Sequence, residues 1–260
     1  MSNRFQDRHA LVTGAGSGIG RAIACRLASE GASVTVLDIN ADAGQGTADL
    51  VADAGGRAHF VRGDVSAEGD VALALAQAIA WGGPPTILVN SAGIIRQSPA
   101  LATSTETFDL VIATNLRSVF LVSTAVARVL VADGLKGRII NISSIHAVVS
   151  GPNACAYTAA KGGIEAFSRT LATELAPHGI TVNCVRPGAT WTALNTPYYR
   201  SEVVEALNKR IPLGVIANPE DIAAGVCYLA SDEAWYTTGT NLDIDGGYIM
   251  DGSLPGTSYT

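Results

Sequence analysis

Thr13-Gly14-Ala15-Gly16-Ser17-Gly18-Ile19-Gly20 is the stretch that decides the fold of this 260-residue chain. It follows directly on an apolar run at residues 9–12 and opens a segment of helical period at 19–30. Strand, glycine-rich turn and helix in that order make the first unit of a parallel sheet. The rest of the chain repeats the alternation. Strand-like runs fall at 33–38, 58–61, 87–90, 138–143, 181–185 and 240–244, and helical stretches at 42–54, 68–80, 107–132, 157–175 and 219–230. The strands are apolar on both faces, as strands covered on both sides must be. Gly31, Gly134 and Gly179 stand where helices should stop, and Pro219 where one should start. The pattern predicts an α/β chain with a doubly wound parallel sheet and helices on both faces. With no linker, charge block or repeat, one domain over 1–260 is expected. Residues of about 5–190 form its core, 190–215 a substrate loop and 251–260 a C-terminal tail.

Composition narrows the classes of function. Hydrophobic residues make up 48% and charged residues 15%, an apolar balance that points to surface hidden in an oligomer. The formal net charge is −6, without a basic stripe, which argues against nucleic acid and anionic membranes as partners. Cys25, Cys155, Cys184 and Cys227 are far apart, show no CxxC spacing and read as free thiols of a reducing compartment. The first eight residues lack the apolar core of a signal peptide. No run approaches ~20 uninterrupted apolar residues. A cytoplasmic location, no membrane and no metal site are the expectations.

The glycine turn carries the first chemistry. A dinucleotide pyrophosphate needs backbone N–H groups and the positive end of a helix dipole, and side chains would block its approach. The spacing here is Gly14, Gly18, Gly20. Asp38 ends the second strand, 24 residues after Gly14, where a carboxylate accepts from ribose hydroxyls and repels an added phosphate, favouring NAD over NADP. The following Ile39 brings no cation, and Arg21 is the one cation that can soften the preference. Asp64, ending the third strand, either meets the adenine edge or caps the helix that starts near Ser66. Tyr157 and Lys161, four apart at helical period, share a face one turn apart. A phenol titrates near ~10, and an ammonium beside it favours the phenolate. Ser144 ends a strand 13 residues before Tyr157 and can hold a substrate oxygen against the phenol. Asn115, an amide within a long helical stretch, can carry a water linking Lys161 to solvent.

Together these residues, with Asn90-Ser91-Ala92-Gly93 and Pro187-Gly188, closely resemble the short-chain dehydrogenase/reductase family, in its order and spacing from about residue 5 to 250. The resemblance implies a Rossmann-type fold with a seven-stranded parallel sheet, a homotetramer and an NAD-dependent oxidoreductase acting on CH–OH groups. It implies catalytic roles for Asn115, Ser144, Tyr157 and Lys161, the phenol being the acid/base and Lys161 also binding the nicotinamide ribose. It implies that the turn from Gly14 through Ser17 and Gly18 to Ile19 holds the pyrophosphate, Asp38 the ribose, and Asp64 with Val65 the adenine, with Gly20 and Ile39 also in the cofactor site. Asn90, Ala92, Gly93, Pro187, Gly188, Thr190 and Thr192 join the cofactor site. Ser91 departs from the family's frequent second asparagine, a small change that keeps hydrogen bonding.

The segment 92–99 looks like one found in dehydrogenases of 2-keto-3-deoxy sugar acids and gluconate-type acids. Arg96 there can pair with a carboxylate or stand as a surface arginine. His146 either lines the substrate pocket or is a polar loop residue. Trp191 and Asn153 complete the candidate substrate set. The loop 191–210, with Asn195, Tyr198, Tyr199 and Arg200, suits a polyol or sugar acid. His9, His59 and His178 read as structural, and Trp81 and Trp235 as packing or surface residues. The substrate expected is a secondary alcohol of a 2-keto-3-deoxy sugar acid of fuconate or rhamnonate type. The alternatives are another sugar or polyol, a 3-oxoacyl thioester, or a non-catalytic NAD-binding role.

Overall fold

A computed structural model of the chain describes residues 3–252. The C-terminal tail expected at 251–260 therefore lies mostly outside the described residues. Seven strands form one parallel sheet: β1 (His9–Thr13), β2 (Ser33–Asp38), β3 (Arg57–Arg62), β4 (Ile87–Asn90), β5 (Gly137–Ile142), β6 (Ile180–Pro187) and β7 (Asn241–Ile244). Their order is β3-β2-β1-β4-β5-β6-β7, and each neighbouring pair is parallel. The helices are α1 (Gly18–Ser29), α2 (Ala41–Asp53), α3 (Glu68–Gly82), α4 (Thr105–Ile112), α5 (Ser118–Ala132), α6 (Cys155–Leu175), α7 (Ser201–Arg210) and α8 (Pro219–Ala230).

The period-two alternation of the strands divides their side chains between two cores. Ala10, Val12, Val34, Val36, Ile87, Val89 and Ile140 join Ile23 and Leu27 of α1 and Ile222 and Val226 of α8 on one face. Leu11, Leu37, Leu88, Ile139 and Val182 join Leu75 of α3, Val122 and Leu130 of α5 and Leu171 of α6 on the other. Each fully buried aliphatic side chain contributes roughly 1.5–3 kcal/mol, so both faces of the sheet are anchored. This is the doubly wound Rossmann-type architecture expected. The chain winds outward from β1 through β3, then crosses to β4 on the other side of β1. That reversal of direction opens a crevice at the carboxyl ends of β1 and β4, where ligands of such sheets bind.

Two elements differ from the sequence expectation. The stretch 107–132 is a single helix from Thr105 to Ala132, but its backbone widens into a π-turn at Ala113–Arg117, around Asn115. Ser104 sets its start by accepting the Thr107 N–H at 3.2 Å. By length and a mean hydropathy of 1.7 it could cross a bilayer, yet half of its most apolar window is buried inside this fold. The second difference lies in the expected loop 191–210. It contains α7, whose Glu202 in the first turn and Lys209 and Arg210 in the last suit the helix dipole. None of its residues is buried.

Away from the crevice, His9 donates from Nδ1 to the Gly83 carbonyl at 2.7 Å and meets Thr35 Oγ1 through Nε2 at 2.8 Å. Trp81 packs between His9 and His59 with Arg57 over its ring, a structural cluster as expected for these histidines. The four cysteines are free. Among the described residues no three His, Cys, Asp or Glu side chains converge as a metal site would require.

Candidate active site

A cleft of about 940 Å³ occupies the crevice and runs from the glycine turn to α7. Gly14, Ser17, Gly18, Ile19 and Gly20 line one end. Ser17 is the N-cap of α1 but makes no side-chain cap, which leaves the helix's first amides open to an anion. The glycines also serve the packing of the turn itself. A Cβ on Gly14, whose φ is +62°, would sit 2.6 Å from the Ala92 Cα, and one on Gly20 would overlap the Gly14 carbonyl. These residues fit a dinucleotide, a cradle that any side chain would fill.

Asp38, Ile39, Asp64 and Val65 line the same end. The Asp38 carboxylate is fixed by two backbone donors, Gly16 N–H to Oδ2 at 2.8 Å and Asn40 N–H to Oδ1 at 2.9 Å, so it faces the cleft in one orientation. A Cβ on Gly16 would collide with Asp38. Asp64 closes the turn before α3, Oδ1 accepting the Ser66 N–H at 2.8 Å, but it does not cap the helix, whose N-cap is Ala67; it lines the cleft as well. The structure corrects the role of Arg21. Its guanidinium bonds the Gly16 carbonyl and Thr47 Oγ1 and is turned away from the ribose end. The cation that the β2–β3 register sets opposite Asp38 is Arg62, whose Nε donates to the Ile39 carbonyl at 3.4 Å.

Ser91, Ala92 and Gly93 leave β4 into the cleft, with the Ser91 and Ala92 amides on Thr13 Oγ1 at 3.0 and 3.2 Å. Asn90 is a correction. Its amide points into the core, donating to Ser123 Oγ at 2.9 Å and Asn141 Oδ1 at 2.8 Å, and it does not line the cleft. Pro187, Gly188, Thr190 and Thr192 close the opposite wall. Thr192 lies across from Gly18, 3.3 Å from where a Cβ would stand.

The chemical centre lies where β5 meets α6. Ser144 caps the short turn Ile145–Ala147, its Oγ accepting the His146 N–H at 3.1 Å. Tyr157, in the first turn of α6, lines the cleft beside it, where the Ser144 hydroxyl favours the phenolate. Lys161, one turn further on, is buried, with Nζ donating to the Ile142 carbonyl at 2.7 Å and standing 5.5 Å from the centre of the Tyr157 ring. Burial pushes the lysine pKa down to about 8. Burial also pushes the Tyr157 phenol up, against the pull of the Ser144 hydroxyl. Desolvation is the largest influence on both groups.

Asn115 is also more constrained than expected. Its amide is spent on Ile94, accepting the N–H at 2.8 Å and donating to the carbonyl at 2.9 Å. It pins the strand-end loop rather than offering its side chain to a water.

Arg96 and His146 line the cleft, with Gln97, Ser150, Asn195 and Tyr198 near them. His146 meets Tyr157 edge to face at 6.0 Å between ring centroids, and burial lowers its pKa, keeping it neutral. Trp191 and Asn153 do not line the cleft. Trp191 packs edge-on against Tyr199, which does. Asn153 adopts a left-handed φ of 67° and gives its carbonyl to the Ser98 N–H at 2.9 Å. Leu207 of α7 and Tyr248 after β7 line the cleft though neither was singled out in the sequence.

Comparison with known proteins agrees with this geometry. Residues 14–249 match the family described as enoyl-(acyl carrier protein) reductase. The human (3R)-3-hydroxyacyl-CoA dehydrogenase is 40% identical over 258 residues, covering 96% of this chain and 98% of that protein. A structure described as a gluconate dehydrogenase from Agrobacterium tumefaciens superimposes with a TM-score of 0.92 at 30% identity, covering 98% of this chain and 100% of that one. A second, described as a 2-deoxy-D-gluconate 3-dehydrogenase from the same organism with bound NADP, gives 0.88 at 36% identity, covering 95% and 98%.

Proposed function

The chain belongs to the short-chain dehydrogenase/reductase family, and from that premise we propose that it is an NAD-dependent dehydrogenase of small polyhydroxylated secondary alcohols. A 2-keto-3-deoxy sugar acid of fuconate or rhamnonate type is the substrate we favour. The observation that carries the reading is the meeting in one cleft of the Ser144 hydroxyl, held by the His146 N–H, and the Tyr157 phenol, with Lys161 buried one helical turn away. Ser144 holds the substrate hydroxyl against the phenol. Tyr157, as phenolate, takes the hydroxyl proton while the carbon bearing it gives up hydride. When bound, the dinucleotide supplies the hydride acceptor and a cationic ring that favours the phenolate. Lys161 adds its charge through space, and Asn115 holds the Ile94 backbone beside them.

NAD is favoured over NADP by the fixed Asp38 carboxylate and by the engagement of Arg21 elsewhere. The sugar-acid reading is supported by Arg96, Gln97, His146, Ser150 and Asn195 in the cleft lining, donors suited to hydroxyls and one guanidinium suited to a carboxylate. A second reading, a 3-hydroxyacyl thioester, is supported by the human relative and by Leu110, Leu194 and Leu207 in the same lining. Phe120 stacks edge to face on Phe167 at 5.9 Å and leaves an exposed apolar ridge on α5, which a second copy in a homotetramer would cover.

The experiment is reduced-cofactor production from sugar acids, neutral polyols and 3-hydroxyacyl-CoA thioesters, each with NAD and with NADP. Turnover confined to carboxylated sugars with NAD is the expected result. Turnover on thioesters alone would transfer the substrate to the second reading, and a preference for NADP would overturn the role given to Asp38.

A further inference from the structure

The glycine turn has two sides, and only one faces the cleft. Gly14 and residues 17–20 line the cleft, whereas Ala15, Gly16, Arg21 and Thr47 do not. On this rear side the turn's carbonyls need partners, because an unpaired buried carbonyl is costly. Thr47, fully buried on α2, donates its hydroxyl to the Ala15 carbonyl at 2.9 Å, with the Ala43 carbonyl of its own helix as the competing acceptor at 3.2 Å. Arg21 of α1 donates Nε to that same hydroxyl at 3.1 Å and Nη2 to the Gly16 carbonyl. The hydroxyl thus accepts from Arg21 while it donates to Ala15, which fixes the direction of every proton in the set. The Gly16 N–H goes to Asp38. Two helices and the end of β2 therefore hold two consecutive peptide units of the turn.

We propose that Arg21 and Thr47 are positioning residues of the dinucleotide site, a brace that fixes the Ala15 and Gly16 carbonyls at the rear so that the turn's amides stay presented to a diphosphate. The proposal rests on the dinucleotide reading above. It also changes what Arg21 does for cofactor choice. A guanidinium spent on the turn supports NAD and NADP equally, whereas a guanidinium contacting the added phosphate of NADP supports NADP alone.

The test uses the full-length protein with three variants, Arg21→Met, Thr47→Val and Thr47→Ser, titrated calorimetrically with NAD and with NADP. Hydrogen exchange of the turn's amides is followed without cofactor. Arg21→Met and Thr47→Val are expected to weaken both dinucleotides about tenfold, ~1.4 kcal/mol, with the ratio between them unchanged. Thr47→Ser, which restores the hydroxyl, should bind as wild type. The Gly16 amide, bonded to Asp38, should exchange faster in the first two variants while the sheet's amides keep their protection, which separates the brace from general loss of stability. If the wild type binds NAD and both variants bind it equally well, the brace is wrong. A loss confined to NADP in Arg21→Met would make Arg21 a phosphate contact and overturn the proposal. A wild type that binds neither dinucleotide overturns the cofactor reading itself, and unaltered exchange at Gly16 would then remove the brace independently.

Discussion

Replacing Lys161 by methionine should change the pH dependence of folding in a way that reports its buried charge directly. Lys161 is 5% exposed, and burial lowers its pKa from 10.5 to about 8. At about 1.4 kcal/mol per pH unit, that difference is about 3 kcal/mol carried by the folded protein whenever the amine is charged. Methionine fills the same channel without charge but strips the Ile142 carbonyl of its donor, which costs about 1–3 kcal/mol. Near neutral pH the two effects nearly offset, and the variant should lie within about 2 kcal/mol of wild type. The slope separates them. Between about pH 8 and 10.5 the unfolded lysine keeps its proton and the folded one has released it. Unfolding then takes up a proton, so raising the pH opposes unfolding. Wild type should gain about 3 kcal/mol on the variant across that window, the gain being lost again as pH falls through about 8. Groups remote from Lys161 titrate alike in both proteins, and making the same comparison in a Tyr157→Phe background removes the neighbouring phenol, so the difference isolates Lys161. Urea unfolding followed by circular dichroism from neutral to alkaline pH measures it. Parallel curves for the two proteins would show that Lys161 is not held in a desolvated site.

Four further outcomes are expected. Tyr157→Phe should bind NAD as wild type by calorimetry and lose activity by about 100-fold or more, the usual worth of general acid–base catalysis. Near-normal turnover would remove the phenol from the chemistry. Asp38→Ala should weaken NAD about tenfold or more, as loss of a charge-assisted hydrogen bond does, while NADP binding holds or improves; equal losses for both would mean Asp38 serves only the turn. Gly20→Ala should destabilise the fold by about 1–3 kcal/mol, because its Cβ would overlap the Gly14 carbonyl, whereas Gly46→Ala, facing open space inside α2, should stabilise by about 0.5–1 kcal/mol; matching thermal melts for the two would refute the steric argument. Finally, burial lowers the pKa of His9, so the unfolded chain takes up a proton near ~6.5 that the folded chain resists. Stability should be full above that pH and decline as pH falls below it, with a shallower decline in His9→Gln, read from melting temperatures in mildly acid buffers.

Much of the site was legible because its chemistry is local. The glycine spacing, the step from strand to turn to helix, and two side chains one helical turn apart are all written within a few consecutive residues. Where the reading went astray, the deciding partner was distant in sequence. Asn90 ends its strand as expected, but Ser123 and Asn141 draw its amide inward. Asn115 is committed by Ile94, 21 residues away, and the π-turn around it leaves no mark in composition. The helix α7 falls within a stretch whose Asn195, Tyr198, Tyr199 and Arg200 suggest a polar loop, although Ser201 to Arg210 carries good helix formers with complementary end charges.

The sequence alone determined the alternation of strands and helices, the place of the glycine turn and the pairing of Tyr157 with Lys161. Each of these depends on backbone periodicity and on contacts within one turn of helix. Tertiary structure decided which residues meet across elements. The parallel register of β2 and β3 sets Arg62 opposite Asp38, the approach of α2 gives Arg21 and the turn their partner in Thr47, and chain closure brings Leu207 and Tyr248 to the cleft. It also decided the charge balance of the centre, because desolvation depends on the whole packed surroundings of a side chain, and a sequence names a residue's neighbours only along the chain.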